Sequence, residues 1–363
     1  MEPVSAALIG PVCLLALGGV VAAVVLWRRL AGPGARAVLA RSGLLLATQV
    51  ALTASIVLLA NRYFVFYATW NDLLGNDPAN VHVQHVQPQR AAGGLVDRTI
   101  TGLGPERAGR DRDPAEDGRV DHLKIHGIRS GLESDADVYV PPQYFQHAYA
   151  GTHLPVVLLL GDGEPAGWLR DARVPEAARG VRPMLYVMAR VQGPAGCMDV
   201  PGRRPALGET YLTQDLPAAL ASLYRVPQAR TGWGVAGFGG GGQCAARLAM
   251  LRSDRFSAAA SLNGRFDAPG GDLYGGSARY RLGNDLLWRL QHLPPPPVSV
   301  LAAAGGSGPH ARQAERFAAL AKPPMRAGTS FVDGPAATLA AWRGHIPGVL
   351  AWFGDRLRVP PGE

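Results

Sequence analysis

Residues 233–246 read W-G-V-A-G-F-G-G-G-G-Q-C-A-A. A short apolar run enters a glycine-rich turn and leaves it as a small-residue helix. Alternation cannot explain the first part, because hardly any polar residue interrupts it. Such a run fits a strand buried on both faces. The turn, Gly237-Phe238-Gly239-Gly240-Gly241-Gly242, is nearly free of Cβ atoms, so a helix can start close against the strand it follows. A buried strand running directly into a packed helix is the repeating unit of a parallel α/β sheet.

The same unit recurs on both sides. Apolar strand-like runs fall at 136–140, 156–160, 184–189, 231–237, 257–262, 298–304 and 327–332. Helical patterns fall at 209–224, 241–250, 311–321 and 339–353. This alternation predicts a mostly parallel sheet with helices on both faces, occupying residues 119–363.

The glycine turn admits three readings. Gly237, Gly239 and Gly242 satisfy G-x-G-x-x-G, the dinucleotide fingerprint. That fingerprint normally opens the first βαβ unit, whereas this turn follows several strands. The next strand also ends in Ser261-Leu262-Asn263, with no acid for a ribose. A second reading is a nucleophile elbow, G-x-S-x-G, with Gly239 where the serine would stand. The third is a tight turn serving helix–strand packing alone.

The second reading carries a resemblance. Gly237 to Gly242, the small residues 245–250, Asp254-Arg255-Phe256-Ser257-Ala258 and Ser261-Leu262-Asn263-Gly264 together resemble the esterase D and mycolyltransferase family of α/β-hydrolases. Glu209-Thr210-Tyr211-Leu212-Thr213-Gln214-Asp215-Leu216-Pro217 resembles the helix before that family's elbow strand. The resemblance implies an α/β-hydrolase fold, a serine esterase or acyltransferase ancestry and no cofactor. It looks most like the membrane-anchored actinobacterial members.

A serine hydrolase needs a nucleophile, a base, an acid and oxyanion donors. The resemblance maps these to Gly239, Ala337, Gly305 and the loop beginning Gly161-Asp162. None carries the required group, and the acids Asp162 and Glu164 oppose an oxyanion. The expectation is a catalytically inactive pseudoenzyme that binds or scaffolds at the cell envelope. Free N–H groups at Gly240 and Gly241 suit an anion or other ligand. An envelope glycolipid, acyl group or sugar is the expected occupant. The alternative is an active carboxylesterase or acyltransferase using Cys244, His310 or His345. A structural protein with a filled cleft is the third option.

Residues 4–27 contain no charge and, at ~1.5 Å per residue, exceed a bilayer's ~30 Å core. Residues 42–60 form a second uncharged run, just long enough to span. Arg28, Arg29, Arg36 and Arg41 lie between them without an acid, which places that loop in the cytoplasm and both chain ends outside. Tyr63, Phe64, Phe66, Tyr67 and Trp70 suit an outer aromatic belt. A cleavable signal peptide fits poorly, because the first residues carry no Lys or Arg. The expected organisation is a transmembrane hairpin over 1–75, a flexible linker over 76–118 and the extracytoplasmic α/β domain.

The formal charge of +8 is carried by arginine; of 36 basic residues only Lys124 and Lys322 are lysine. No arginine-rich run with interleaved aromatics occurs, so no nucleic-acid partner is expected. His82 and His85 form H-x-x-H in the linker, but no carboxylate or cysteine stands near them, so no metal site is expected. Cys197 and Cys244 lie in the exported domain, where they either pair as a disulfide or stay as two buried thiols.

Overall fold

The computed structural model of the chain describes residues 6–64 apart from 28, 31 and 33, residues 90–101 apart from 92 and 93, and residues 113–361 apart from 162–164, 191–195, 201–206, 272 and 335. The chain divides into two units, Met1–His85 and Val86–Glu363.

In the first unit, two helices, Ala6–Leu26 and Ala35–Phe64, form a hairpin. Leu14, Leu15, Val24, Leu46 and Ile56 are exposed on it. One segment, Ala37–Val57, is long and apolar enough to cross a membrane; the described apolar part of the first helix, Gly10–Leu26, is shorter. Within the hairpin two hydroxyls are satisfied locally. Thr48 Oγ1 donates to Leu44 O at 2.8 Å and Ser55 Oγ to Ala51 O at 2.8 Å. Hydroxyls bonded one turn back leave no unmet donor in an apolar surrounding. Gly19 faces Thr48 so closely that a Cβ there would stand 2.8 Å from its Oγ1. Close contact through small residues is how helices pack in lipid. The proposed aromatic belt beyond Phe64, the 81–86 alternation and the His82–His85 pair lie outside the described residues.

The second unit is built on one sheet of ten described strands: β1 Arg90–Ala91, β2 Gly94–Thr101, β3 Arg119–His126, β4 Glu133–Val140, β5 Val156–Gly161, β6 Leu185–Arg190, β7 Trp233–Phe238, β8 Ala258–Leu262, β9 Ser299–Gly305 and β10 Arg326–Val332. Their order is β1-β2-β3-β4-β6-β5-β7-β8-β9-β10. From β6 through β10 every pair is parallel; β1 to β4 run antiparallel to their neighbours, as does β4 to β6.

Central strands are apolar on both faces, and the structure shows why. Along β5, Val156, Leu158 and Leu160 enter one core layer, while Val157 and Leu159 enter the other. The helix Gly240–Leu251 packs on the first layer. Short helices Ala166–Arg170 and Val174–Ala177, with Ile346–Gly354, cover the second.

Three expectations change. Part of the stretch read as linker, Gly94–Thr101, is strand β2, paired along its length with β3. Strand β3 itself, R-V-D-H-L-K-I-H, escapes a hydropathy reading because charges interrupt it. Its Asp121 is fully buried, held by Arg119 Nε at 2.7 Å and Tyr224 OH at 2.7 Å. Finally, residues 339–353 are not one helix: a 3₁₀ turn, Leu339–Trp342, breaks before Ile346–Gly354. The helix over 209–224 does form, but it widens into a π turn at Tyr211–Asp215. Pro217 has no N–H to offer the carbonyl four residues back.

Candidate functional site

Gly239 stands between β7 and the helix Gly240–Leu251 with φ 58° and ψ −120°. That is a region that L-residues enter only under strain. The turn is pinned on both sides: Gly239 N–H donates to Leu262 O at 2.9 Å, and Gln243 N–H donates to Gly239 O at 3.1 Å. The glycines beside it serve a different purpose. A Cβ on Gly237 would run into the backbone of Gly241, and one on Gly241 into the carbonyl of Leu160. A Cβ on Gly242 would stand 3.0 Å from Leu262 O. These three let the helix lie against β7, β5 and β8. At Gly239, by contrast, a Cβ would meet nothing within 4 Å. The apex has the strained backbone and the room that a side chain would need there, but carries no side chain.

A cleft of about 360 Å³ opens over this apex. Gly161, Pro165, Trp168, Ala189, Phe238, Gly239 and Leu339 line it, with Arg170 and Asp171. It lies at the C-terminal ends of β5, β6 and β7, where ligands of open parallel sheets bind. The first N–H groups of the helix at Gly240 and Gly241 have no partner within the helix. Asp162, Gly163 and Glu164 lie outside the described residues, so only Gly161 and Pro165 of that loop are placed.

The loops after β9 and β10 meet each other. Gly306 N–H donates to Val332 O at 3.0 Å. Ala336 occupies the space that a Cβ on Gly305 would need. Trp342 Nε1 donates to Ala336 O at 3.1 Å and fixes that methyl in place. An aspartate at Gly305 therefore requires this contact to open. Ala337, where the resemblance would put a base, is exposed and offers only a methyl group.

The substitute groups fare differently. Cys244 is bonded to Cys197, with Cα atoms 5.8 Å apart, so its sulfur is not a thiolate. His345 is exposed, edge-on to Trp342 at 6.3 Å between ring centroids. His310 begins the helix Pro309–Leu320, and its buried Nδ1 makes no hydrogen bond among the described residues. No cluster of three or more metal-ligating side chains occurs among the described residues.

The disulfide sits in a polar cross-brace. Buried Arg247 donates to Cys197 O at 2.8 Å and to Glu209 Oε2 at 2.7 Å, and also reaches Asn284. The Glu209 segment is thereby tied to the elbow helix beneath the cleft.

Trp168 is the side chain that sequence reading missed. It follows the oxyanion-type loop on the short helix Ala166–Arg170, is 3% exposed, and lines the cleft. Its one signal is a lone tryptophan a few residues beyond Gly161, too common to single out.

No protein-family model matches the sequence. An uncharacterized protein of Corynebacterium glutamicum is 24% identical over 149 residues, 38% of this chain, and the match spans about a third (34%) of that protein's length. Among solved structures, a ferulic acid esterase superposes with a TM-score of 0.54 at 15% identity, over 65% of this chain and 97% of its own. An S-formylglutathione hydrolase from Agrobacterium tumefaciens gives 0.56 at 15% identity, over 69% and 99%. A fluorophosphonate-binding serine hydrolase of Staphylococcus aureus gives 0.53 at 14%, over 65% and 98%. The second unit has the α/β-hydrolase fold.

Proposed function

We propose that this chain is a membrane-anchored pseudoenzyme, an α/β-hydrolase-fold protein that holds a ligand in its cleft without cleaving it. The observation that carries the reading is Gly239. It keeps a strained apex and an open cleft above, yet has no atom able to attack a carbonyl. The ground that Ala336 takes at Gly305, and the bare methyl of Ala337, support it. The open cleft favours binding over a purely structural role. The exposed apolar hairpin supports two membrane helices, and the arginine-rich loop between them supports an extracytoplasmic domain. The Cys197–Cys244 disulfide fits an oxidising compartment. The solved neighbours named as esterases or hydrolases supply the ancestry, and their ester chemistry suggests an acyl-type ligand at the envelope.

The test is hydrolysis of p-nitrophenyl acetate and butyrate by the full chain in detergent micelles. The expected rate equals that of buffer with micelles. A second reading, an acyl hydrolase with a rewired base, draws on His310 and its unpaired buried Nδ1. Saturable turnover that disappears in His310→Ala selects that reading instead.

A further inference from the structure

The end of the sheet opposite the cleft is positive. Parallel strands all begin at one end, so the segments leading into them are neighbours. Arg182 precedes β6, Arg230 precedes β7, Lys322 and Arg326 open β10, and Arg356 and Arg358 follow the helix Ile346–Gly354. Hydrogen bonds join these segments into one surface. Arg182 Nη1 donates to Leu357 O at 3.0 Å, and Arg358 N–H to Thr231 O at 2.8 Å. Arg230 Nη1 donates to Ser253 O at 3.1 Å and to Pro297 O at 3.2 Å, and Arg326 N–H to Val298 O at 2.9 Å. Neutral carbonyls orient a guanidinium without cancelling its charge. Among the described residues no carboxylate stands within ion-pair distance of these six side chains. In the adjoining segments Asp254 is already paired with Arg252 at 3.2 Å, which leaves Asp355 against six positive charges. Partial burial and the nearby Arg326 hold the Arg356 guanidinium below its ordinary value, against the opposing effect of Asp355.

The same end exposes apolar surface among its charges. Leu293 is 38% exposed at the head of the loop 293–297, L-P-P-P-P, which carries the carbonyl that Arg230 binds. Pro323 and Pro324 are exposed just before Arg326, and Arg356 lies over the half-buried Trp352 ring at 4.2 Å. We propose that this end of the domain is a docking face for an anionic lipid surface, its basic side chains set against headgroup phosphates and Leu293 with its prolines dipping between them. A lipid interface offers negative charge above and hydrocarbon below, which is the pairing this face matches. A nucleic acid offers the phosphates without the hydrocarbon. The face belongs wholly to the second unit and does not depend on what the cleft binds. Docking here leaves the cleft, at the far ends of the same strands, uncovered.

The experiment is flotation of the full chain, carried in neutral phosphatidylcholine nanodiscs, with separate vesicles of phosphatidylcholine alone or mixed with phosphatidylglycerol. Binding is expected to require phosphatidylglycerol and to be lost near about 1 M salt, where screening acts beyond about 3 Å. Arg326→Gln/Arg356→Gln is expected to bind about 25-fold more weakly, near fivefold for each charge removed. Arg279→Gln/Arg312→Gln takes the same charge from helices that follow β8 and β9, and is expected to bind as the wild type does. If the first pair does not fold, Lys322→Gln/Arg326→Gln replaces it with the same expectation. Equal flotation with both vesicles, unchanged affinity in the folded variant, or an equal loss in the Arg279–Arg312 pair overturns the inference. So does tighter binding of a short DNA duplex than of the vesicles, or binding of inorganic phosphate without vesicles. A chain that stays out of the nanodiscs refutes the membrane anchor instead, and the dependence of its own flotation on lipid charge and on Arg326 and Arg356 still decides the docking face.

Discussion

Gly239→Ala isolates what the apex demands of its backbone. At φ 58° and ψ −120° an alanine is strained by about 1–3 kcal/mol. Its Cβ would meet nothing within 4 Å, so no steric term adds to that. Alanine also stiffens the unfolded chain, which returns about 0.4–1 kcal/mol. At the middle of these ranges the net loss is about 1.3 kcal/mol. At about 2–4 °C per kcal/mol for a domain of this size class, Tm falls by roughly 3–5 °C. Gly237→Ala is the control. Its Cβ would overlap the backbone of Gly241, so the elbow helix must lift off β7. Overpacking of that kind adds about 1–3 kcal/mol or more, and the expected loss is at least twice that of Gly239→Ala. Thermal unfolding of both variants in micelles, followed by circular dichroism, reads the difference. An unchanged or raised Tm in Gly239→Ala refutes the strain argument. Equal losses in the two variants refute the division of labour among the glycines.

Three further outcomes follow from the packing around the site. Glu209→Ala leaves the Arg247 guanidinium buried without its carboxylate and is expected to cost about 3–5 kcal/mol by thermal unfolding. Reduction of Cys197–Cys244, which closes a loop with a sequence separation of 47, is expected to cost about 4 kcal/mol, visible as a lower Tm in dithiothreitol. The hydrogen bonds from Arg265 hold Asp267 below the ordinary carboxylate value of 3.8, against the opposing effect of partial burial. A depressed carboxylate stabilises the fold above its unfolded pKa and loses that contribution as pH falls through the folded one. Arg265→Met is therefore expected to raise the Asp267 pKa in an NMR titration and to move acid unfolding to higher pH.

The fold was legible where burial on both faces leaves an unbroken apolar run. Strands β5 to β9 fall within a residue or two of their hydropathy pattern, and the glycine turn announces the elbow. Strands β2 and β3, near the opposite edge, were not. β3 interleaves charge with core, and its buried Asp121 reads as a surface residue until Arg119 and Tyr224 close around it. β2 lies in a Gly- and Arg-rich stretch whose composition hides it, and it pairs with β1 on one side and β3 on the other. At the site, the glycine apex was visible because the surrounding turn specifies its place. The contact of Ala336 with Gly305 was invisible, since it joins two loops that only the sheet brings together. Trp168 escaped notice for a related reason: its place in the cleft is a property of its surroundings, and sequence spacing carries no trace of it.

The central claim is that the apex of this cleft has lost its nucleophile and that no other serine has taken its place. Intact-mass spectrometry after exposure of the full chain in micelles to a fluorophosphonate measures this directly, because the reagent adds covalently to an activated serine. The expected spectrum shows the unmodified mass alone, and Gly239→Ser gives the same result, since no base stands ready to activate it. A stoichiometric adduct on a single serine of the wild-type chain, such as Ser261 or Ser307, would contradict the claim.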